Sequence, residues 1–207
     1  MLYSPTLNGE NTMSALPLDA QKQLFHDART HHAFLTTALP ENTIQSLYEL
    51  TRWAPTAFNA APARFVFVQS AAAKESLCST LSPGNVTQTQ AAPLTVIVAI
   101  DRQFYERLPE LFPAFDARPI YANNAALAER AGLQNASLQA AYLIMAARSL
   151  GLDCGPMTGF DVARLDALFF PEGQWTANIL INIGHGDHQA LYPRGPRLPF
   201  ADACRIV

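Results

Sequence analysis

The side chains best suited to chemistry fall into short polar clusters: Arg29-Thr-His-His32, Pro55-Thr-Ala-Phe-Asn59, Gly84-Asn85, and the late pair Arg194 and Arg197. Arginine forks joined by hydroxyl and imidazole donors are the usual way to hold a doubly charged phosphate, provided the fold brings distant clusters together. A further run, Gly151-Leu-Asp-Cys-Gly-Pro-Met-Thr-Gly-Phe-Asp161, packs three glycines and a proline into one stretch after a long apolar segment. Glycine there lets backbone N–H groups come close to something flat, such as the polar edge of a ring cofactor. Taken singly, each cluster has a plainer reading as a solvated arginine or a helix stop.

Other chemistries find less support. The histidines at 26, 31, 32, 185 and 188 lack the i, i+4 helical spacing of a zinc-binding pair, so no metal site is expected. Cys78, Cys154 and Cys204 are far apart and form no Cys-x-x-Cys pair, and there is no Gly-x-Ser-x-Gly elbow. Neither a phosphate-binding Gly-x-x-x-x-Gly-Lys-Ser loop nor a strand-led Gly-x-Gly-x-x-Gly is present, which disfavours a Rossmann domain. A formal charge of −3 without a basic block argues against nucleic acid or an anionic membrane as the main partner. The longest apolar run, near 136–147, is too short to span a bilayer, and no secretory leader is visible, so a cytoplasmic protein is expected.

The elements that must position these clusters can be read from periodicity. With 207 residues, 49% apolar and 15% charged, the chain can bury one substantial core, expected as a single domain over 18–207 behind an extended arm at 1–17. Helices are predicted from Leu18 to Ala28, after Pro40 with Ile44, Leu47 and Tyr48 on one face, and after Ser70 as cap. A long helix over about 126–150 carries apolar residues on nearly every face and reads as central and buried, with Gly151 as its left-handed cap. Strands are predicted at 64–68, at the continuous apolar run 94–100, and at 178–183, where Ile179, Ile181 and Ile183 share a face. Asp161 is placed to cap a short helix. The stretch 101–124, aromatic and proline-bearing without steady periodicity, is a candidate active-site lid, and 191–207 reads as a surface tail. Few strands without βαβ alternation make the class α+β.

Taken in order, the clusters resemble the FMN-dependent nitroreductase family over about Leu24 to Leu198. The resemblance implies a mixed or antiparallel sheet flanked by helices, and a homodimer with extended terminal arms and flavin sites at its interface. Ala28-Arg-Thr-His-His-Ala-Phe34 is similar to the first motif, which puts Arg29, Thr30 and His31 at the flavin phosphate and pyrimidine edge. Trp53-Ala-Pro-Thr-Ala-Phe-Asn59 is similar to the second, with Pro55, Thr56, Ala57 and Asn59 reaching the flavin bound mainly by the other subunit. Asn85 corresponds to an asparagine beside the ring, and Pro156, Met157, Thr158 and Gly159 to the turn facing flavin N5 and O4. Arg194 and Arg197 correspond to basic phosphate contacts. Two positions depart from the pattern: Gln88 stands where many members carry a lysine near flavin N1 and O2, and Ala63 replaces a frequent tryptophan.

Within the family the chain most resembles the malonic semialdehyde reductases of pyrimidine degradation, through Ser82-Pro-Gly-Asn85, Phe104-Tyr-Glu-Arg-Leu-Pro-Glu-Leu-Phe-Pro113, Gly151 to Asp161 and Leu180-Ile-Asn-Ile-Gly184. This implies reduction of malonic semialdehyde to 3-hydroxypropionate with NADPH or NADH. The hydride would travel on FMN, and no side chain would act as nucleophile. Arg64, Arg107 and Arg118 are the candidates for the substrate carboxylate. A broad nitro- or quinone reductase and a non-catalytic flavin-binding protein are the alternatives.

Overall fold

The computed structural model describes residues 14–207, so most of the arm expected at 1–17 lies outside the described residues. The helices are α1 (Leu18–Gln21), α2 (Glu41–Thr51), α3 (Ala71–Cys78), α4 (Pro83–Ala91), α5 (Leu108–Leu111), α6 (Arg118–Ala122), α7 (Ala125–Ser149), α8 (Val162–Phe169) and α9 (Phe200–Ala203). The strands are β1 (Ala63–Val68), β2 (Leu94–Asp101), β3 (Asp153–Met157) and β4 (Trp175–Gly184). They form one sheet in the order β1-β2-β4-β3, antiparallel throughout.

The sheet is covered on both faces, which explains why β2 reads as a continuous, largely β-branched run without polar alternation. Leu94, Val96 and Val98 join the core under α7, whereas Ile97 and Ala99 face the layer that contains Leu77 of α3 and Leu165 of α8. In β4 the expected alternation holds: Ile179, Ile181 and Ile183 lie on the α7 side and Leu180 on the other. A bulge skips Asn178, so that Val98 pairs with Ile179 and Ala99 with Ala177.

The long helix corrects one expectation. It is not buried all round: its buried face is mostly small, with Ala131, Gly132, Ala136, Ala140, Ala146 and Ala147. By contrast Leu133, Leu138 and Tyr142 point outward, 49%, 47% and 41% exposed in the single chain. Its end is as predicted, with Gly151 at φ +74°. The caps Ser70 and Asp161 also form, accepting from the backbone N–H of Ala73 and Arg164.

Three further differences have local causes. The first helical segment continues past α1 as a π-turn over Lys22–His26 and stops short of Ala28. Residues 153–157, expected as part of a glycine turn, form edge strand β3, where Pro156 is tolerated because an edge leaves N–H positions unpaired. The aperiodic stretch 101–124 folds as α5, α6 and a short 3₁₀ turn at Phe104–Arg107. Phe104, Leu108, Ala117 and Tyr121 there share a small separate core with Ala128 and Ala131 of α7.

Leu143 is fully buried in the main core between α7 and the sheet. Its replacement by alanine should lower the unfolding free energy by about 2–5 kcal/mol. Urea titration at unchanged slope checks this, and a loss well under ~1 kcal/mol would contradict the packing described.

Candidate functional site

The N-terminal cluster is positioned by two isolated bridges, Thr30 to Cys154 of β3 and Phe34 to Gly186, which hold residues 30–34 extended along the sheet edge. In extended chain successive side chains alternate. Thr30 and His32 therefore share one face, where they line a pocket of about 230 Å³ with Arg29, Arg148, Arg194 and Arg197. His31 points the other way, into the protein, 1% exposed beside Asp153. Its ring thus does not line this pocket, which His32 lines instead. Burial pushes the His31 imidazole below its ordinary value, against the opposing pull of the Asp153 carboxylate.

All four guanidinium groups are oriented by backbone carbonyls. Arg29 donates to Tyr192 O, Arg148 to Leu24 O at 2.9 Å, Arg194 to His26 O at 2.8 Å and Ala28 O at 3.1 Å, and Arg197 to Gly195 O and Pro196 O at 3.0 Å. Among the described residues, none of the four forms an ion pair with a carboxylate, and no acidic residue lines the pocket. Four positive charges left unneutralised around one concavity make a site for a doubly charged anion. Arg148, in the last turn of α7, was not anticipated. A basic residue at a helix end is the signal that could have suggested it.

From this pocket a chain of side-chain hydrogen bonds leads to the glycine-rich run. His32 Nδ1 lies 2.9 Å from Gln88 Oε1, Gln88 Nε2 donates to Asn85 Oδ1 at 2.8 Å, and Asn85 Nδ2 donates to Gly159 O at 2.9 Å. Gln88 can take part because an amide both accepts and donates; a lysine could not accept from His32. Gly159 is needed at the end of this chain, since a Cβ there would lie 2.7 Å from Asn85 Nδ2. Helix α4, which carries Asn85 and Gln88, is held from behind by buried Lys74, whose ammonium donates to Thr89 O at 2.8 Å, to Ala92 O and to Thr95 Oγ1 at 3.2 Å. Met157 is buried behind Gln88 and Thr89, whereas Pro156 and Thr158 are exposed on the same segment. The Cys154 thiol is pushed up to about 12, chiefly by burial, so it offers no thiolate nucleophile.

The second cluster lies elsewhere in the single chain. Pro55 to Asn59 runs into a turn in which Phe58, Asn59 and Ala61 have φ of +53°, +52° and +40°. Polar residues of α7 pin it: Asn135 Oδ1 accepts from Ala57 N and Gln139 Oε1 from Ala63 N, each at 2.8 Å. Thr56 Oγ1 accepts from Ala61 N, and Asn59 Nδ2 donates to Leu111 O. Asn59 borders an open cleft of about 520 Å³ lined also by Tyr48, Arg52, Trp53, Arg64 and Arg107, none of which lines the arginine pocket. Of the three arginines considered for a substrate carboxylate, Arg64 is held by buried Asp101 at 2.7 Å. Arg107 pairs with Glu110 at the surface, and Arg118 pairs with Glu106 and does not line the cleft.

The family model for the nitroreductase family matches residues 27–185. The chain belongs to the nitroreductase family. Two relatives named "Putative NADH dehydrogenase/NAD(P)H nitroreductase" are similar over nearly their whole length. One, from Ralstonia nicotianae, is 51% identical over 94% of this chain and 100% of its own. The other, from Stutzerimonas stutzeri, is 55% identical over 92% and 98%. Two crystal structures, each described as a "putative nitroreductase", share the fold. That from Bacillus subtilis has a TM-score of 0.85 at 22% identity, covering 92% of this chain and all of its own. That from Exiguobacterium sibiricum, in complex with FMN, has a TM-score of 0.82 at 20% identity, covering 94% and 100%. Among the described residues of this nitroreductase-family chain, no helix is long and apolar enough to cross a membrane.

Burial lowers the Lys74 ammonium to about 8 from 10.5. Between these values the unfolded chain holds more protons at this position than the folded one, so its contribution to stability rises with pH through that window. The stability advantage of the wild type over Lys74→Met should therefore grow between pH 8 and 10, as read by urea unfolding at each pH. A difference that is flat or shrinks would contradict the burial of this group.

Proposed function

We propose that this chain is an FMN-dependent oxidoreductase that takes a hydride from NADPH or NADH and delivers it to a small electrophile. The observation that carries this is the acid-free arginine pocket joined by His32, Gln88 and Asn85 to the glycine-rich segment, a basic end and a polar edge such as a flavin phosphate and ring need. FMN, when bound, supplies the hydride-carrying chemistry. Arg29, Thr30, His32, Arg148, Arg194 and Arg197 would hold its phosphate. Asn85, Gln88 and the backbone of 156–159 would hold the polar edge of its ring. Gln88 brings no positive charge, so stabilisation of charge there falls on Arg29 and backbone dipoles.

The protein acts in this reading as a homodimer. The exposed Leu133, Leu138 and Tyr142 on α7, with Tyr192, Leu198 and Phe200 in the tail, give a second copy apolar surface to cover. That copy would bring its Pro55, Thr56, Ala57 and Asn59 to the flavin, in line with the distance of this cluster from the pocket on its own chain. The segment 101–124 contributes Arg107 and Leu111 to the cleft and serves as its lid.

Nitro compounds and quinones fit the cleft best as electrophiles, because Tyr48, Trp53, Phe65 and Phe67 line it and its half-buried Arg64 is already paired with Asp101. One observation favours a second, finer reading, reduction of malonic semialdehyde to 3-hydroxypropionate. Arg107 also lines the cleft, and among the described residues its only acidic partner is the exposed neighbour Glu110, an ion pair worth little in water. The guanidinium is therefore free to turn to a substrate carboxylate. The alkoxide proton would come from water.

Two measurements test these readings. Among the described residues Arg197 is bonded only to neighbouring carbonyls, so Arg197→Ala should leave the pocket's shape intact and weaken FMN about tenfold to a hundredfold while barely changing riboflavin, which lacks the phosphate. Equal losses for both ligands would remove the phosphate assignment. Arg107→Ala should raise KM for malonic semialdehyde about tenfold without altering KM for a nitrofuran or a benzoquinone. If all three move together, or none does, the acid-aldehyde reading fails and the broad one stands.

A further inference from the structure

We propose that His31, Asp153 and His188 form a binding site for one divalent transition-metal ion of the zinc class. The three come from remote segments: the extended stretch 30–34, the first residue of β3, and the 3₁₀ turn that follows β4. Each offers one ligand atom, and the three atoms lie within 4.8 Å of one another. His31 Nδ1 is 3.3 Å from Asp153 Oδ1, and His188 Nε2 is 3.9 Å from Asp153 Oδ2.

The decisive feature is His31 itself. Its ring is 1% exposed, and among the described residues neither nitrogen has a hydrogen-bond partner. Buried polar groups are nearly always satisfied, and an unsatisfied Nδ1 facing a carboxylate calls for an occupant between them. Bonds of about 2.0–2.2 Å in a tetrahedral shell separate ligand atoms by roughly 3.3–3.6 Å. The His31 to Asp153 distance already has that value, and the exposed His188 side chain needs only to swing inward.

The surroundings hold the ligands in place. Gly186 lies flat against the His31 ring, where a Cβ would fall 2.2–2.6 Å from three ring atoms, so a larger residue at 186 would displace the imidazole. Gly186 N also donates to Asp153 Oδ2 at 2.9 Å, fixing the carboxylate in the manner of an outer-shell contact. Leu35 N donates to His185 O and Asp187 N to Ala33 O, which locks the first and third segments together. Two imidazoles and one carboxylate suit zinc or cobalt(II) rather than calcium or magnesium, and the exposed side leaves a position for water. The histidines escape a motif search because the geometry is built from three segments rather than from one helix.

The ion would tie residues 30–34, which carry His32, to the turn leading into Tyr192, Arg194 and Arg197, and so brace both walls of the arginine pocket. It does not depend on what that pocket binds. Chelator-stripped, untagged and flavin-free protein titrated with Co²⁺ tests the site. One equivalent per chain should give visible d–d absorption that Zn²⁺ abolishes, and Zn²⁺ should raise the thermal midpoint. His188→Ala, at an exposed position where folding is not at stake, and Asp153→Asn should each weaken Co²⁺ at least about tenfold. His185→Ala, an exposed histidine outside the cluster, should leave it unchanged. Absence of the band in wild-type protein would overturn the site, as would equal Co²⁺ affinity in His188→Ala with unchanged far-ultraviolet circular dichroism.

Discussion

The close seating of α7 on the sheet is the constraint from which the rest follows. Alanine and glycine on its inner face let the helix approach all four strands, and the fully buried Leu143 fills the space between. That approach fixes where the ends of the helix fall. Asn135 and Gln139, polar residues on a buried face, are admitted because the backbone N–H groups of Ala57 and of Ala63 at the start of β1 bond to them, and Asn135 also donates to Ala131 O. At the far end, Arg148 reaches the carbonyl of Leu24, and Gln23 donates back to the Arg148 carbonyl, so the same helix anchors the N-terminal turn against the arginine pocket. One rigid rod thus positions both clusters that the sequence keeps separate.

Much of this architecture is legible in the sequence where periodicity and burial agree. The alternation of Ile179, Ile181 and Ile183, the apolar run of β2 and the caps Ser70, Asp161 and Gly151 are local signals, and each has its expected counterpart. Helix α4 is not legible in this way: Pro-Gly-Asn-Val-Thr-Gln-Thr-Gln-Ala has no apolar stripe, and its buried residues are Gln88 and Thr89. They are buried because Lys74, Asn85 and Met157 satisfy or cover them, which is tertiary information. Strand β3 is hidden for a related reason. Its glycine and proline read as turn residues until an edge position beside β4 gives them a place.

The site shows the same division. Residue types carried the expectation that distant arginines would gather, and Arg29, Arg194 and Arg197 do converge. Which of two adjacent histidines joins them is not a property of composition, because it depends on the direction of an extended segment pinned at Thr30 and Phe34. The outward placement of Leu133, Leu138 and Tyr142 likewise could not be told from full burial by hydrophobicity alone: both arrangements use the same residues.

That pinned segment has a consequence for how the chain can vary. Between the bridges at 30 and 34 the backbone works as a sorting device with two outputs, one imidazole delivered to the arginine pocket and its neighbour to the interior. Deleting one residue ahead of His32 would turn His32 into the interior and bring Ala33 to the pocket, leaving Gln88 without its imidazole partner. Length in these five positions is therefore as strongly constrained as identity, and the two histidines are interchangeable in chemistry but not in address.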